Sequence, residues 1–145
     1  MSVYADTSVL VAIIAPDALN ARARSYVDGA RPSLLISDFA AAEFASALAR
    51  RVRTRELTAD QAGDAFAAFD AWAAFRGSRL GTTTADVARA ETFIRRLDLN
   101  LRMPDAVHIA IAQRHGAILA TFDARMADAA QTLGLETARA LKPAP

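Results

Sequence analysis

Val3-Tyr4-Ala5-Asp6-Thr7-Ser8-Val9-Leu10 decides the reading of this chain. It begins as an apolar strand, turns sharply polar at Asp6, and becomes apolar with helical character from Val9 to Ile14. A strand that delivers a carboxylate at its C-terminal end, directly before a helix, sets that carboxylate on the ligand-binding rim of an open α/β sheet. The rest of the sequence matters for whether other carboxylates reach the same rim.

Working outward, a first strand is expected over about Ser2 to Ala5, with a short helix to Ala15 that Pro16 stops. Asp17 is positioned to cap a helix from Ala18 to Asp28, ended by Gly29. Leu34-Leu35-Ile36 reads as a buried strand, with Ser37 and Asp38 capping a helix to Arg53. Thr58 to Gln61 reads T-A-D-Q, a capping box opening a long helix to Phe75. Gly77 to Thr82 reads as a turn and short edge strand, and Thr84 as the cap of a helix from Ala85 to Leu97. Pro104 is tolerated in a first helical turn, and that helix runs to His115 before Gly116. Ala117 to Thr121 is a second clear strand, Asp123 starts a helix ending at Gly134, and Leu135 to Thr137 is a candidate last edge strand. Strands that are continuous apolar runs, alternating with helices, imply an α/β fold whose parallel sheet is covered on both faces. One domain over 1–141 is expected, with 142–145 as a frayed tail.

Bulk properties exclude several classes. At 145 residues, 53% hydrophobic and 23% charged, the chain is long enough for a packed core and too apolar for disorder. It has no apolar run of about 18 residues and no export signal, so a cytoplasmic location is expected, without a membrane span. Without cysteine there is no thiolate catalysis and no cysteine-held metal. A net charge of +1 argues against a protein that holds nucleic acid by phosphate neutralisation alone. Lys142 is the only lysine, and no G-x-x-x-x-G-K run exists, so P-loop chemistry is absent. The D-T-S after the first strand also departs from the D-x-D of haloacid-dehalogenase-type phosphatases, which need a lysine as receiver domains do.

Four carboxylates have placements that solubility does not explain. Asp6 ends the first strand, and Asp123 follows the strand Ala117 to Thr121. Glu43 is the one acid in the small, apolar run F-A-A-A-E-F-A-S-A-L. Asp105 sits in the first turn of a helix within R-M-P-D-A-V-H-I-A-I-A. Each has a plain alternative: Asp6 and Asp123 as helix caps, Asp105 as a dipole-favoured acid, Glu43 as a solvated one. If the four converge, two like charges about 4 Å apart repel by about 4 kcal/mol at an effective dielectric near 20. Either some are then protonated or a divalent cation lies between them, and an all-oxygen donor set selects Mg²⁺ or Mn²⁺. Such a site points to phosphodiester hydrolysis.

The ordered segments V-Y-A-D-T-S-V-L-V-A, A-A-A-E-F-A-S-A-L, L-R-M-P-D-A-V-H-I-A-I-A and A-T-F-D-A-R-M-A-D-A-A resemble the PIN-domain ribonucleases, most closely the VapC-type toxins of bacterial toxin–antitoxin pairs. The resemblance covers nearly the whole chain. It implies a three-layer α/β/α fold with a four- or five-stranded parallel sheet in the order 3-2-1-4-5. It implies Mg²⁺- or Mn²⁺-dependent endonucleolytic cleavage of RNA, an antitoxin partner and a homodimer. By the same resemblance Asp6, Glu43 and Asp105 match the three central acids and Asp123 the more variable fourth. Thr7 or Ser8 matches the hydroxyl residue after the first acid, and Thr121 the hydroxyl two before the last, all three reading as hydrogen-bond donors or caps rather than ligands. The alternative is a PIN-like module that binds RNA or metal without cutting.

Arg50, Arg51, Arg53 and Arg55 form a basic cluster after Glu43, read either as a solvated helix end or as RNA contacts, and Arg102 is a further candidate for phosphate. His108 lies one turn beyond Asp105 and is read as a packed, hydrogen-bonded residue, with a general acid–base role as the alternative. Phe66, Phe69, Trp72 and Phe75 recur every third residue; most of the stripe is expected in the core, and part of it, with the helix Val9 to Ile14, in an antitoxin groove.

Overall fold

Parallel strands cannot be joined by tight turns, so each connection must cross over a face of the sheet, and here helices make those crossings. The fold is taken from a computed structural model that describes residues 1–30, 33–138 and 141; the tail at 142–145 lies outside the described residues. In chain order the elements are β1 (Ser2–Ala5), α1 (Thr7–Ile14), α2 (Asn20–Ala30), β2 (Ser33–Ser37), α3 (Asp38–Arg53) and α4 (Ala59–Arg76). Then come β3 (Gly77–Leu80), α5 (Thr84–Ile94), a 3₁₀ turn (Leu97–Leu99), α6 (Met103–Arg114), β4 (Ile118–Ala120) and α7 (Ala124–Thr132).

All strand pairs are parallel and the order is β3-β2-β1-β4. The segment expected as a last strand makes one bridge, Leu119 to Thr137, flanked by Leu119 N–H donating to Glu136 O and Ala138 N–H to Leu119 O, each at 2.9 Å. It therefore lies beside β4 on the outer edge, as a single rung among the described residues.

The two-residue period of the strands sorts the core into two layers. Val3 and Ala5 of β1, with Leu34 and Ile36 of β2, pack with Leu10, Phe44, Leu48 and Phe69 from the helices of one face. Tyr4 points the other way, toward Phe93 of α5, Ile109 and Ile111 of α6 and Met126 of α7. This is the expected α/β/α sandwich, with β1 buried in the middle.

Local signals set most boundaries, and the exceptions have visible causes. Ser37 caps α3 by accepting from Ala40 N–H, and Thr58 and Gln61 form the reciprocal box opening α4. Asp38, the acid in the first turn of α3, also accepts from the Phe39 N–H at 2.7 Å. Its carboxylate accepts from the Thr82 amide at 2.9 Å and from the Thr82 hydroxyl, pinning the chain after β3 to the start of α3. Thr83, not Thr84, caps α5, because Asp86 three residues on completes a box with it. That helix ends at Ile94 instead of Leu97, where the 3₁₀ turn takes over and Asn100 adopts a left-handed φ of 50°. Likewise α2 begins at Asn20: Asp17 accepts from Leu19 N–H, while the Asn20 amide donates to the Ala12 and Ile13 carbonyls that end α1. Gly77 lets α4 pass straight into β3, since a Cβ there would lie 2.6 Å from Ile36 Cδ1.

The aromatic stripe divides. Phe69 is buried, Phe66 and Trp72 are half-buried, and Phe75 is 85% exposed. Val9 to Ile13 are buried beneath α2, α3 and α4, while Ile14 at the end of α1 is half-buried and lines a surface pocket with Pro16 and with Gln61, Asp64, Ala65 and Ala68 of α4.

A bidentate ion pair clamps α5 to α6. Arg114 donates to both oxygens of Asp86, at 2.8 and 2.9 Å, and to the Gly81 carbonyl at 2.9 Å. Asp86 is 2% exposed and also accepts from Thr83 N–H at 2.8 Å. Burial raises its carboxyl, but the Arg114 hydrogen bonds and the Thr83 cap outweigh that, leaving it below the usual carboxylate range. A depressed folded value means stability that is present above the unfolded carboxylate value, about 3.9, and lost as pH falls through the folded one. Asp86→Ala is expected to cost about 2–3 kcal/mol at neutral pH and less in strong acid, read from denaturant midpoints at the two pH values. An equal loss at both would show that Asp86 acts through packing instead.

Candidate active site

β1 ends where its neighbours leave on opposite sides: β2 pairs along one edge and β4 along the other. The gap at the C-terminal ends of such strands is where an open α/β sheet binds its ligands. Asp6 occupies it. Its amide donates to Ala120 O at 3.1 Å, the last bond of the ladder, and its side chain turns back to cap α1. Oδ1 accepts from the Ser8 hydroxyl at 2.6 Å and Val9 N–H at 3.1 Å, and Oδ2 from the Thr121 hydroxyl at 2.6 Å. Asp6 is 2% exposed, and burial pushes its carboxyl up despite those three donors and the nearby His108.

Thr121 ties this acid to the next. Its Oγ1 also accepts from Asp123 N–H at 2.9 Å, while Phe122 N–H donates to Ser8 Oγ at 3.0 Å. The loop after β4 is thus latched to the loop after β1. Asp123 caps α7, accepting from Arg125 and Met126 N–H at 2.9 and 3.1 Å. The capping reading and the rim position hold together for both Asp6 and Asp123.

Asp105 lies in the first turn of α6, preceded by Pro104. Its carboxyl is raised, first by burial and then by the charge of Asp123, with Arg102 and His108 pulling the other way. Arg102 Nε stands 3.8 Å from Asp105 Oδ2. Glu43, on α3, accepts at Oε1 from the Thr7 hydroxyl at 2.8 Å and lies 2.5 Å from His108 Nε2. Burial raises Glu43, but the His108 hydrogen bond and charge and the Thr7 hydroxyl bring it below the usual range.

Hydrogen bonds join Glu43 to Thr7 and His108, and Asp6 through Thr121 to the loop that carries Asp123, while electrostatic coupling links His108 to Asp6 and Asp105, and Asp105 to Asp123. Among the described residues, no group of three or more histidine, cysteine, aspartate or glutamate side chains stands close enough to hold one ion. Donor chemistry still suits a hard cation. Mg²⁺ keeps several waters and commonly takes only one or two protein carboxylates, so a closed cage is not required. A buried raised carboxyl and a mutually repelling pair are what such a charge relieves.

The arginines separate. Arg51 is held by Asp17 at 3.6 Å and donates to Pro16 O at 3.4 Å, bracing the α1–α2 connection. Arg50 is exposed, two helical turns from Glu43, or about 10 Å along the axis. His108 is packed and hydrogen-bonded, as expected, but that reading missed that its partner is Glu43. It also missed Tyr4, whose hydroxyl reaches His108 Nδ1. A phenol in the middle of a buried strand was the available signal, because it must find a polar partner.

The sequence profile described as PIN domain matches residues 3–131. No curated protein matches the chain significantly in sequence. Among solved structures, the Mycobacterium tuberculosis toxin VapC20, which cleaves the sarcin–ricin loop, superposes with a TM-score of 0.69 at 23% identity, covering 88% of this chain and 95% of that one. VapBC2 from Rickettsia felis, bound to a fragment of its promoter DNA, gives 0.69 at 12% identity over 95% and 98%. FitAcB from Neisseria gonorrhoeae gives 0.67 at 16% identity over 95% and 97%. At such identities these likenesses speak to the fold.

Proposed function

The chain belongs to the PIN-domain family, and from that membership we propose that it is a divalent-metal-dependent endoribonuclease, the toxin of a toxin–antitoxin pair. The observation that carries the reading is geometric: Asp6, 2% exposed at the C-terminal end of β1, is latched through Thr121 to the loop that carries Asp123. Asp6, Glu43, Asp105 and Asp123 are the residues to hold Mg²⁺ or Mn²⁺. When bound, such an ion activates water and neutralises charge on the phosphate under attack. The chain's own residues do the rest. Thr7, Ser8 and Thr121 orient carboxylates by donating to Glu43 and Asp6. Arg102 and Arg50, both exposed, are the candidates to meet backbone phosphate, and Arg51, paired with Asp17, is a third. An antitoxin partner is supported by fold neighbours that include a toxin–antitoxin complex from Klebsiella pneumoniae and the toxin VapC20.

A non-catalytic module is favoured by one observation, the lack of three grouped ligands among the described residues. One assay separates the two readings. Purified protein with structured and single-stranded RNA is expected to cleave in Mg²⁺ or Mn²⁺, leaving 5′-phosphate ends, and to stop when EDTA is added. Intact RNA under all conditions, with no Mn²⁺ uptake by calorimetry, would overturn the nuclease.

A further inference from the structure

We propose that the hollow beside Asp123, between the loop after β4 and α7, takes one unpaired guanine of an RNA strand, packed on Phe122 and held at its Watson–Crick edge by Asp128. That the guanine belongs to a substrate rests on the ribonuclease reading; that the hollow fits guanine does not.

The hollow measures about 230 Å³ and shares Thr121 and Asp123 with the acid site, so whatever fills it lies beside the rim. Its apolar lining includes Phe122, Ala127 and Leu141, of which Ala127 is 7% and Leu141 2% exposed. Pockets for drug-sized ligands run from about 300 Å³ upward, so this one suits a single base rather than a run of nucleotides. Phe122 is half-buried and held in place. Arg22 of α2 lies over its ring, 5.9 Å from the centroid, and its amide donates to Ser8 Oγ at 3.0 Å. A restrained aromatic side chain is a platform on which an unstacked RNA base packs with little ordering cost.

Charge decides which part of an RNA strand enters. Asp123 and Asp128 both line the hollow, so a phosphate there is repelled, while a neutral base is not. Asp123 is engaged as the cap of α7, accepting from the Arg125 and Met126 amides. Asp128, farther along α7, is exposed, and among the described residues no hydrogen bond or ion pair falls on its carboxylate. It also lies outside the four acids read as metal ligands, so it keeps its charge when they hold an ion. An ionised carboxylate offers two acceptors side by side and no donor. Guanine alone among the four common RNA bases sets two donors side by side on its Watson–Crick edge, N1–H and the N2 amine. In adenine and cytosine the amine adjoins a ring nitrogen that accepts, and in uracil the ring N–H lies between two carbonyls. Each of these sets an acceptor against the carboxylate, so only guanine makes two charge-assisted bonds without a repulsion.

Binding is measured on the full chain in EDTA, where no cleavage competes, by amide NMR with three uridine pentaribonucleotides carrying guanosine, inosine or adenosine at the centre. The guanosine pentamer is expected to bind about 5-fold more tightly than the inosine one, which lacks only the N2 amine, and than the adenosine one. The largest shifts are expected at the amides of Phe122, Ala127 and Asp128. Asp128→Asn is expected to bind the guanosine and inosine pentamers alike, and Phe122→Leu to bind all three about 10-fold more weakly, with melting curves showing both variants folded. Equal affinity of the parent protein for the three pentamers, shifts confined to other surfaces, or a guanosine preference that survives Asp128→Asn would overturn the guanine site. Mn²⁺ is then added to the parent protein, and cleavage at one fixed position relative to the guanosine is expected. Cleavage spread evenly along the pentamer would overturn the place of the guanine beside the scissile bond. Guanosine-selective binding without any cleavage would instead remove the ribonuclease reading and leave the guanine site standing.

Discussion

Asp6→Asn is expected to abolish RNA cleavage, lowering kcat/KM by about 10³-fold, or about 4 kcal/mol of barrier, while the protein stays folded. The substitution separates charge from structure. Asparagine keeps one oxygen to accept from Ser8 Oγ and Val9 N–H, so the cap of α1 survives. Its amide replaces the oxygen that accepts from Thr121, whose Oγ1 already accepts from Asp123 N–H, so the threonine hydroxyl must turn. What is lost outright is a negative charge that the site holds at 2% exposure. Because burial raises Asp6, the folded state carries that charge at a cost, and removing it relieves the cost. The melting temperature is expected to hold or rise. Single-turnover cleavage in Mg²⁺, with melting curves on the same samples, measures both; cleavage at the parental rate would take Asp6 out of the chemistry.

The largest loss of stability is expected from Phe44→Ala, about 3–5 kcal/mol. Phe44 follows Glu43 on α3 and is 1% exposed. It stacks on Phe69 of α4 with ring centroids 4.6 Å apart, and meets Phe66 edge-on at 6.4 Å. Truncation leaves a cavity between two helices and the sheet, in the cluster that also holds Leu10 and Ile13 of α1. Against a total stability of about 5–15 kcal/mol, that is a large share. Phe75→Ala, at the 85% exposed end of the same stripe, is the control and is expected to change stability by no more than about 0.5 kcal/mol. Denaturant unfolding of the two variants checks the contrast; similar losses would mean that the stripe packs as one unit.

Much of this molecule is written in short-range spacing. The turn from Val3-Tyr4-Ala5 into Asp6 encodes a strand that hands a carboxylate to a helix. Pro104 before Asp105 encodes a first helical turn, and T-A-D-Q at Thr58 encodes a capping box. These are legible because a cap, a period of two and a period of 3.6 are properties of a few neighbouring residues. Parallel order follows as well, since apolar strands separated by helices leave few other solutions. Where two neighbours offered the same chemistry, spacing alone misled: Thr83 and Thr84 are both hydroxyl residues, and only the reach of Asp86 chooses between them.

Long-range pairing decided the rest. A stretch that is apolar all round, such as Val9 to Ile13 of α1, reads the same way whether it lines a groove or fills a core, and only the assembled fold shows it buried. The meeting of His108 with Glu43 spans 65 residues, and of Tyr4 with His108 104. The Thr121 latch onto Asp6 spans 115. No local period encodes a distance of that kind. It is fixed by strand register, with Tyr4 opposite Leu119 and Leu35, and by which face of each helix the sheet buries. Which acids the chain carries, and on which kind of element, belonged to the one-dimensional pattern. Which of them face one another, and which are restrained by a tyrosine and a histidine, followed only once the sheet was assembled.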